Sequence, residues 1–174
     1  MVKKVDYTVL SRLDDLEVRS YYPMVIISVF GLSDNDSFRL LFDYIQGGNR
    51  SRSRIRMTSP VISSEKIPMT APVISGGGSF SFVLPRDYDM DNAPEPEDDR
   101  LVLEEIPSRT IAALRFSGRA TSTAVKEMTE HLLQRLRDEG IPAIGAPFLM
   151  RYNSPFMPGP FRRNEVAVKI RWSG

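Results

Sequence analysis

Four arginines, Arg50, Arg52, Arg54 and Arg56, alternate with Asn49, Ser51, Ser53 and Ile55. In an extended chain side chains at i, i+2 and i+4 share one side, so this spacing lines up four guanidinium groups. Each offers a planar pair of donors suited to a carboxylate or phosphate, and the natural chemistry is an anion clamp. Directly after it comes a short duplication. Met57-Thr58-Ser59-Pro60-Val61-Ile62-Ser63 recurs twelve residues on as Met69-Thr70-Ala71-Pro72-Val73-Ile74-Ser75. Each proline removes a ladder donor, which suits strand edges, and each methionine is a flexible, polarisable filler for an irregular apolar cavity. Plain strand packing with methionine as filler, and a solvated arginine loop, are the alternative readings of these two segments.

Conventional catalytic machinery is harder to find. There is no cysteine, which removes disulfides, thiolate nucleophiles and thiolate-bound metals. The single histidine, His131, rules out any two-histidine metal site. It lies well over about 90° from the apolar stripe of its helix, so it should be exposed and without a chemical role. No nucleophile elbow, P-loop or dinucleotide fingerprint occurs, and Gly76-Gly77-Gly78 precedes a strand rather than a helix. The carboxylates of the segment 86–100, with Pro94 and Pro96, lack the spacing of a calcium loop and read as an exposed acidic connector.

The elements that would position these residues follow from periodicity. Tyr7 to Leu13 and Leu16 to Tyr22 alternate around Asp14-Asp15 and predict a hairpin; Met24 to Phe30 is a buried strand ended by Gly31. A helix capped by Ser33 or Asp34 carries Phe38, Leu41, Phe42 and Ile45 on one apolar face and stops at Gly47-Gly48. The second half repeats the order with strands at Leu101 to Ile106 and Ile111 to Phe116. Its helix is capped by Thr121 or Thr123, lines up Val125, Met128, Leu132, Leu133 and Leu136, and stops at Gly140. Strands at Phe148 to Tyr152 and Asn164 to Trp172 close the chain, the last with Val166, Val168, Ile170 and Trp172 inward. Tyr152 to Asn164, rich in Pro, Phe and Arg, reads as an ordered loop able to wall a site.

Two pseudo-symmetric ββαββ halves, about 5–85 and 100–173, therefore predict a single α+β domain spanning 1–174. Its expected architecture is a distorted antiparallel β-barrel with two flanking helices and a pocket between the halves. At 174 residues the chain can bury a substantial core, and 23 Lys plus Arg against 22 Asp plus Glu leave a net charge of +1. That near-neutrality speaks against nucleic acid as a partner. No apolar run reaches the roughly 20 residues of a membrane span, and the amino terminus lacks an export signal, so a cytoplasmic location is expected.

With these segments on the page the chain resembles the SOUL/haem-binding protein family. The resemblance rests on Leu16-Glu17-Val18-Arg19-Ser20-Tyr21, Phe42-Asp43-Tyr44-Ile45-Gln46-Gly47, the doubled motif at 57–62 and 66–74, Phe80-Ser81-Phe82-Val83-Leu84-Pro85, and Tyr152-Asn153-Ser154-Pro155-Phe156 with Arg162-Arg163-Asn164-Glu165-Val166. It implies a distorted β-barrel with two helices, kinship with GyrI-type effector-binding domains, and non-enzymatic binding of haem, another tetrapyrrole or a similar flat amphipathic ligand beside the first helix. Some members carry histidine directly after Glu-Val-Arg, where this chain has Ser20, so no histidine axial ligand is expected. Affinity would then come from apolar contact, at about 25 cal/mol per Å², and from carboxylate pairing.

The expected wall is Phe38, Leu41, Phe42 and Ile45, faced by Met57, Met69, Tyr152 and Phe156, with Arg54 and Arg56 on the ligand carboxylates and Arg162 or Arg163 as alternatives. Two other classes stay open: a small hydrolase using Glu104, Glu165 or Tyr152, and a protein-interaction module presenting an amphipathic helix to an unidentified partner.

Overall fold

The computed structural model describes residues 3–52, 64–153 and 156–174. In chain order the first elements are β1 (Lys3–Lys4), the hairpin β2 (Tyr7–Leu13) and β3 (Leu16–Tyr21), and β4 (Met24–Phe30). Then come α1 (Asp34–Ile45), β5 (Asn49–Arg50), β6 (Thr70–Ala71), β7 (Val73–Gly76), β8 (Ser79–Val83) and β9 (Glu95–Pro96). The remainder is β10 (Val102–Ile106), β11 (Arg109–Ser117), α2 (Ser122–Asp138), β12 (Phe148–Arg151) and β13 (Arg163–Lys169), with a 3-10 turn at Gly159–Phe161. This is the expected α+β composition of antiparallel strands and two helices.

Local chemistry accounts for the boundaries. The β2–β3 turn places Asp14 at φ 57, a left-handed conformation that aspartate tolerates. Ser33 caps α1 by accepting from the Asp36 N–H at 3.2 Å, and Thr121 caps α2 by accepting from the Ala124 N–H at 3.1 Å. A Cβ on Gly48 would stand 2.9 Å from the Asp43 carbonyl oxygen, so the chain can fold back against α1 only at glycine. Gly77 and Gly78, at φ 60 and 79, form the turn before β8.

The chain forms two compact units, and they do not follow the sequence halves. Unit 1 comprises Met1–Val5, Met24–Ala71 and Gly78–Ile106. Its sheet is β10–β4–β8, antiparallel throughout, with Glu104 opposite Ile26 and Phe82 opposite Ile27. Helix α1 packs on β4 and β8. A parallel β1–β6 pair and an antiparallel β5–β9 pair complete it.

Unit 2 comprises Asp6–Pro23, Pro72–Gly77 and Pro107–Gly174. Its strands run β7–β12–β13–β11–β3–β2, all antiparallel. Helix α2 packs on β11 and β13. The core beneath it is Leu16, Val18, Ala112, Leu114, Leu132, Leu136, Leu149, Val166, Val168 and Ile170, with Trp172 packed at its margin.

Three sequence expectations need correction. The inner face of α1 is Ser37, Leu41, Tyr44 and Ile45; Phe42 is 41% exposed, so the apolar stripe is rotated toward Tyr44. Burial suits Tyr44 because its hydroxyl donates to the Pro94 carbonyl at 2.7 Å. The segment 86–100 is not wholly an exposed connector: Ala93 is fully buried, and β9 pairs with β5. Strand β13 is buried on both faces and ends at Lys169, after which Ile170 makes a single bridge to Ala143.

Candidate functional site

The residues expected to do chemistry fall into two groups. In unit 1, helix α1 carries Leu41 and Ile45 into the core, at 0% and 2% exposure, where they can only hold the helix in place. Phe38 and Phe42 lie one turn apart along the edge of that face. Their rings stack at 5.9 Å with 13° between planes, and Phe38 meets the buried Phe82 edge-on at 5.3 Å. A stacked pair anchored from below and open above is an aromatic shelf that can take a flat apolar ring.

Elsewhere in unit 1 the polar groups expected or found near α1 and β5 are tied to the protein. Asn49, fully buried, donates to the Tyr44 and Glu65 carbonyls at 2.7 and 2.9 Å and accepts from the Glu65 N–H at 2.9 Å. Glu65 also accepts from Ser51 and from Tyr88 at 3.1 Å. Burial, and then the charge of Glu65, push the Tyr88 hydroxyl up to about 12. Arg52 donates to the Met90 carbonyl at 2.7 Å and pairs with Glu95 at 3.3 Å. Met69 is half-buried before β6, and its carbonyl accepts from the Lys3 N–H. Arg54, Arg56 and Met57 lie outside the described residues. An open cavity of about 300 Å³ in unit 1 is lined by Leu40, Asp43, Tyr44, Gly48, Glu97, Asp98 and Leu101. Its carboxylates would repel an anionic ligand; the Arg100 guanidinium bound to Asp98 holds that carboxyl at about 2.

In unit 2 the strands place a buried ion cluster on the sheet face opposite the α2 core. Glu165 on β13 is fully buried and accepts four donors: both Nη atoms of Arg19 at 2.7 Å, the Tyr152 hydroxyl at 2.6 Å and Arg163 Nη2 at 2.8 Å. Arg19 on β3 also donates to Glu17 at 2.6 Å and to the Tyr21 hydroxyl at 3.3 Å, and lies over the Tyr7 ring at 4.3 Å. Register makes this reach possible. On β11 Arg19 faces Ile111 and Glu165 faces Arg115, so the path between them crosses Ala113, which has no side chain beyond Cβ.

Burial alone would raise the Glu165 carboxyl, but the bonds from Arg19, and then Arg163, bring it down to about 2. The Tyr152 hydroxyl is pushed well above its ordinary range by burial and by the charge it faces. Glu165 is therefore held ionised with its acceptors occupied, and Tyr152 is held protonated. Neither group is poised to transfer a proton or attack a substrate.

Among the remaining expected residues, Arg162 donates to the Met157 carbonyl at 2.8 Å, and Phe156 is 95% exposed. Glu104 is exposed on β10. His131 is exposed on α2 and is bound to Asp15 at 2.8 Å, as its helical position predicts. Ser20 lies between Thr8 and Thr110 in the sheet. Sequence reasoning named Glu165 and Tyr152 without partners and missed Arg19, Glu17 and Tyr21. The available signal was a polar and aromatic alternation at Glu17, Arg19 and Tyr21 opposite the apolar Leu16 and Val18.

Among the described residues no group of three or more His, Asp or Glu side chains could hold a metal ion, and no helix is long and apolar enough to cross a membrane. The chain's single histidine, His131, lies on α2 and not on the helix that carries Phe38 and Phe42.

Comparison with known proteins adds the kinship. Residues 2–169 match the sequence profile described as SOUL heme-binding protein. The curated Heme-binding protein 2 of Mus musculus and that of Homo sapiens are each 29% identical over 130 residues, covering 71% of this chain. The match spans 62% of the length of those relatives. Among solved structures, the EcmrR C-terminal domain superposes with TM-score 0.60 at 11% identity, covering 96% of this chain and 99% of that one. A hydrolase from Listeria innocua gives TM-score 0.55 at 12% identity, covering 93% and 94%. At such identities the structural neighbours show a shared fold.

Proposed function

The chain belongs to the SOUL heme-binding protein family, and from that membership and the site geometry we propose that it is a non-enzymatic binding module for haem or a similar flat amphipathic tetrapyrrole, held without a histidine ligand to iron. The observation that carries the reading is the Phe38–Phe42 shelf, a stacked pair at the edge of a helix whose Leu41 and Ile45 are spent on the core.

A porphyrin laid on the shelf removes roughly 200 Å² of apolar surface from water, which contributes about 5 kcal/mol before the costs of association. Leu41 and Ile45 act from behind by fixing the helix. Met57 and Met69 would fill the irregular margin, and Arg54 and Arg56 would pair with the propionates through their planar donors. Tyr152 and Arg163 are engaged with Glu165, so the proposed contact rests on the unit 1 residues. Iron would be dispensable: Ser20 is no ligand for it, and His131 is engaged with Asp15.

The hydrolase alternative has the buried Glu165 and the half-buried Tyr152 locked to each other and to arginines. The test is a haemin titration followed in the Soret band, with wild type and Phe42→Glu compared. Because Phe42 is 41% exposed, the variant should fold normally. Saturable one-to-one binding that weakens at least about tenfold in the variant supports the reading. Equal binding by both proteins, or none by wild type, refutes it.

A further inference from the structure

Three buried polar atoms among the described residues have no hydrogen-bond partner: Thr70 Oγ1, Arg163 Nε and Arg109 Nε. The two arginines differ in kind. Arg163 has its charge answered by Glu165 at 2.8 Å. Arg109, on the same sheet face at the start of β11, has no carboxylate within ion-pair distance among the described residues. Its guanidinium lies over the Phe148 ring at 4.7 Å, and Tyr21 faces it across the β3–β11 ladder.

Arg109 is half-buried, and its Nε–H is shut away from water with no acceptor, which is a costly state for a donor. In unit 2 the neighbouring charges pair among themselves, since Arg19 and Arg163 are matched by Glu17 and Glu165. Arg109 is left over. Stacking on Phe148 occupies the π face of the guanidinium and leaves its in-plane donors available, which is the geometry a planar carboxylate meets edge-on. Strand β7 approaches β12 closely at Phe148, where a Cβ on Gly76 would stand 3.3 Å from its Cα and Cβ. Partial burial lowers the Arg109 value, against the opposing influence of the Tyr21 hydroxyl.

We propose that Arg109, backed by Phe148 and faced by Tyr21, is an anion-binding site of unit 2 that takes the carboxylate of a flat, apolar ligand. The site is made of unit 2 residues, whereas Phe38 and Phe42 belong to unit 1, and it does not require that the ligand be a tetrapyrrole. A bound carboxylate would give the unbonded Arg109 Nε–H its acceptor.

The probes are 2-naphthoate and its uncharged analogue 2-naphthamide, titrated calorimetrically at millimolar concentration. Binding is also followed through the Arg109 Nε–H resonance, which burial should protect from exchange. Naphthoate should bind at least about tenfold more tightly than the amide and shift that resonance, since a charge-assisted pair outweighs a neutral contact by this order. Arg109→Gln should lose the preference while Arg115→Gln, changed on the same strand at an exposed position, keeps it. Without ligand, Arg109→Gln should melt no lower than wild type, because it removes an unanswered charge. If that variant melts much lower, the arginine is structural and the proposal falls. Arg109→Lys, which keeps the charge and loses the planar fork, supplies a second reading, with naphthoate binding weakened but not abolished. Equal binding of the two probes, an unmoved Nε–H signal, or unchanged naphthoate affinity in Arg109→Gln would overturn it, and none of these results bears on haemin binding at the shelf.

Discussion

Replacing Arg19 by methionine should be the most damaging single change among the charged residues. Glu165 is fully buried and loses two of its four donors, keeping only Tyr152 and Arg163. An ordinary glutamate value of 4.5 brought down to about 2 corresponds to roughly 3 kcal/mol of preference for the charged form, most of it supplied by Arg19. Breaking a buried pair from one side costs about 3–5 kcal/mol, and the two surviving donors put the expected loss near about 3 kcal/mol. For a chain of this size that lowers Tm by roughly 6–12 °C. The pH dependence has a definite sign. The folded value of Glu165 lies below the unfolded one, so its contribution is fully present above pH 4.5 and is lost as pH falls toward 2. In Arg19→Met the folded value rises and that contribution shrinks. The assay is urea denaturation at pH 7 and pH 4 for Arg19→Met, Glu165→Gln and the double variant. The double variant should be more stable than the sum of the single losses by about 2 kcal/mol. Additive losses, or a single-variant cost below about 1 kcal/mol, would refute the claim that these groups form one buried unit.

Three further outcomes follow from burial and partners. Leu41→Ala should cost about 2–5 kcal/mol in thermal or urea unfolding, whereas Phe42→Ala should cost less than about 1 kcal/mol, because the first side chain is wholly buried and the second stands open. Asn49→Ala should cost about 2–3 kcal/mol in the same assay, since it strands the Glu65 N–H and two carbonyls that the amide satisfies. His131→Ala should change stability by less than about 1 kcal/mol: its pair with Asp15 is exposed, although that contact, ahead of the bond from Arg135, holds the Asp15 carboxyl below its usual range.

The elements were largely legible in the sequence because their signals are local. Asp14-Asp15 marked the first turn, Ser33 and Thr121 the helix starts, Gly47-Gly48 and Gly140 their ends. The tilt of α1 was not, because Tyr44 looks polar until Pro94, fifty residues away, provides an acceptor for its hydroxyl. For the same reason Ala93 and Pro94 looked solvated inside an acidic stretch. Strand pairing was hidden too: β3 joins β11 and β10 joins β4, choices that depend on partners some ninety and eighty residues distant. The second face of β13 was the hardest to see. Alternation showed Val166 and Val168 inward, but the burial of Glu165 on the other side depends on Arg19, 146 residues earlier. Of the candidate site, Phe38 is half-buried against Phe82 and Phe42 is exposed beside it. Leu41 and Ile45 were absorbed by the core, and Tyr152 and Arg163 by a network that single-residue motifs cannot announce.

The central claim, that a flat tetrapyrrole is held by its ring and carboxylates and not through its metal, is tested most directly by titrating the protein with haemin and with iron-free protoporphyrin IX under identical conditions. Quenching of Trp172 and the porphyrin absorption bands report each complex. The account predicts one saturable site for both, with dissociation constants within about fivefold, and a haemin spectrum unchanged by His131→Ala. Binding of haemin alone, abolished by that substitution, would contradict it.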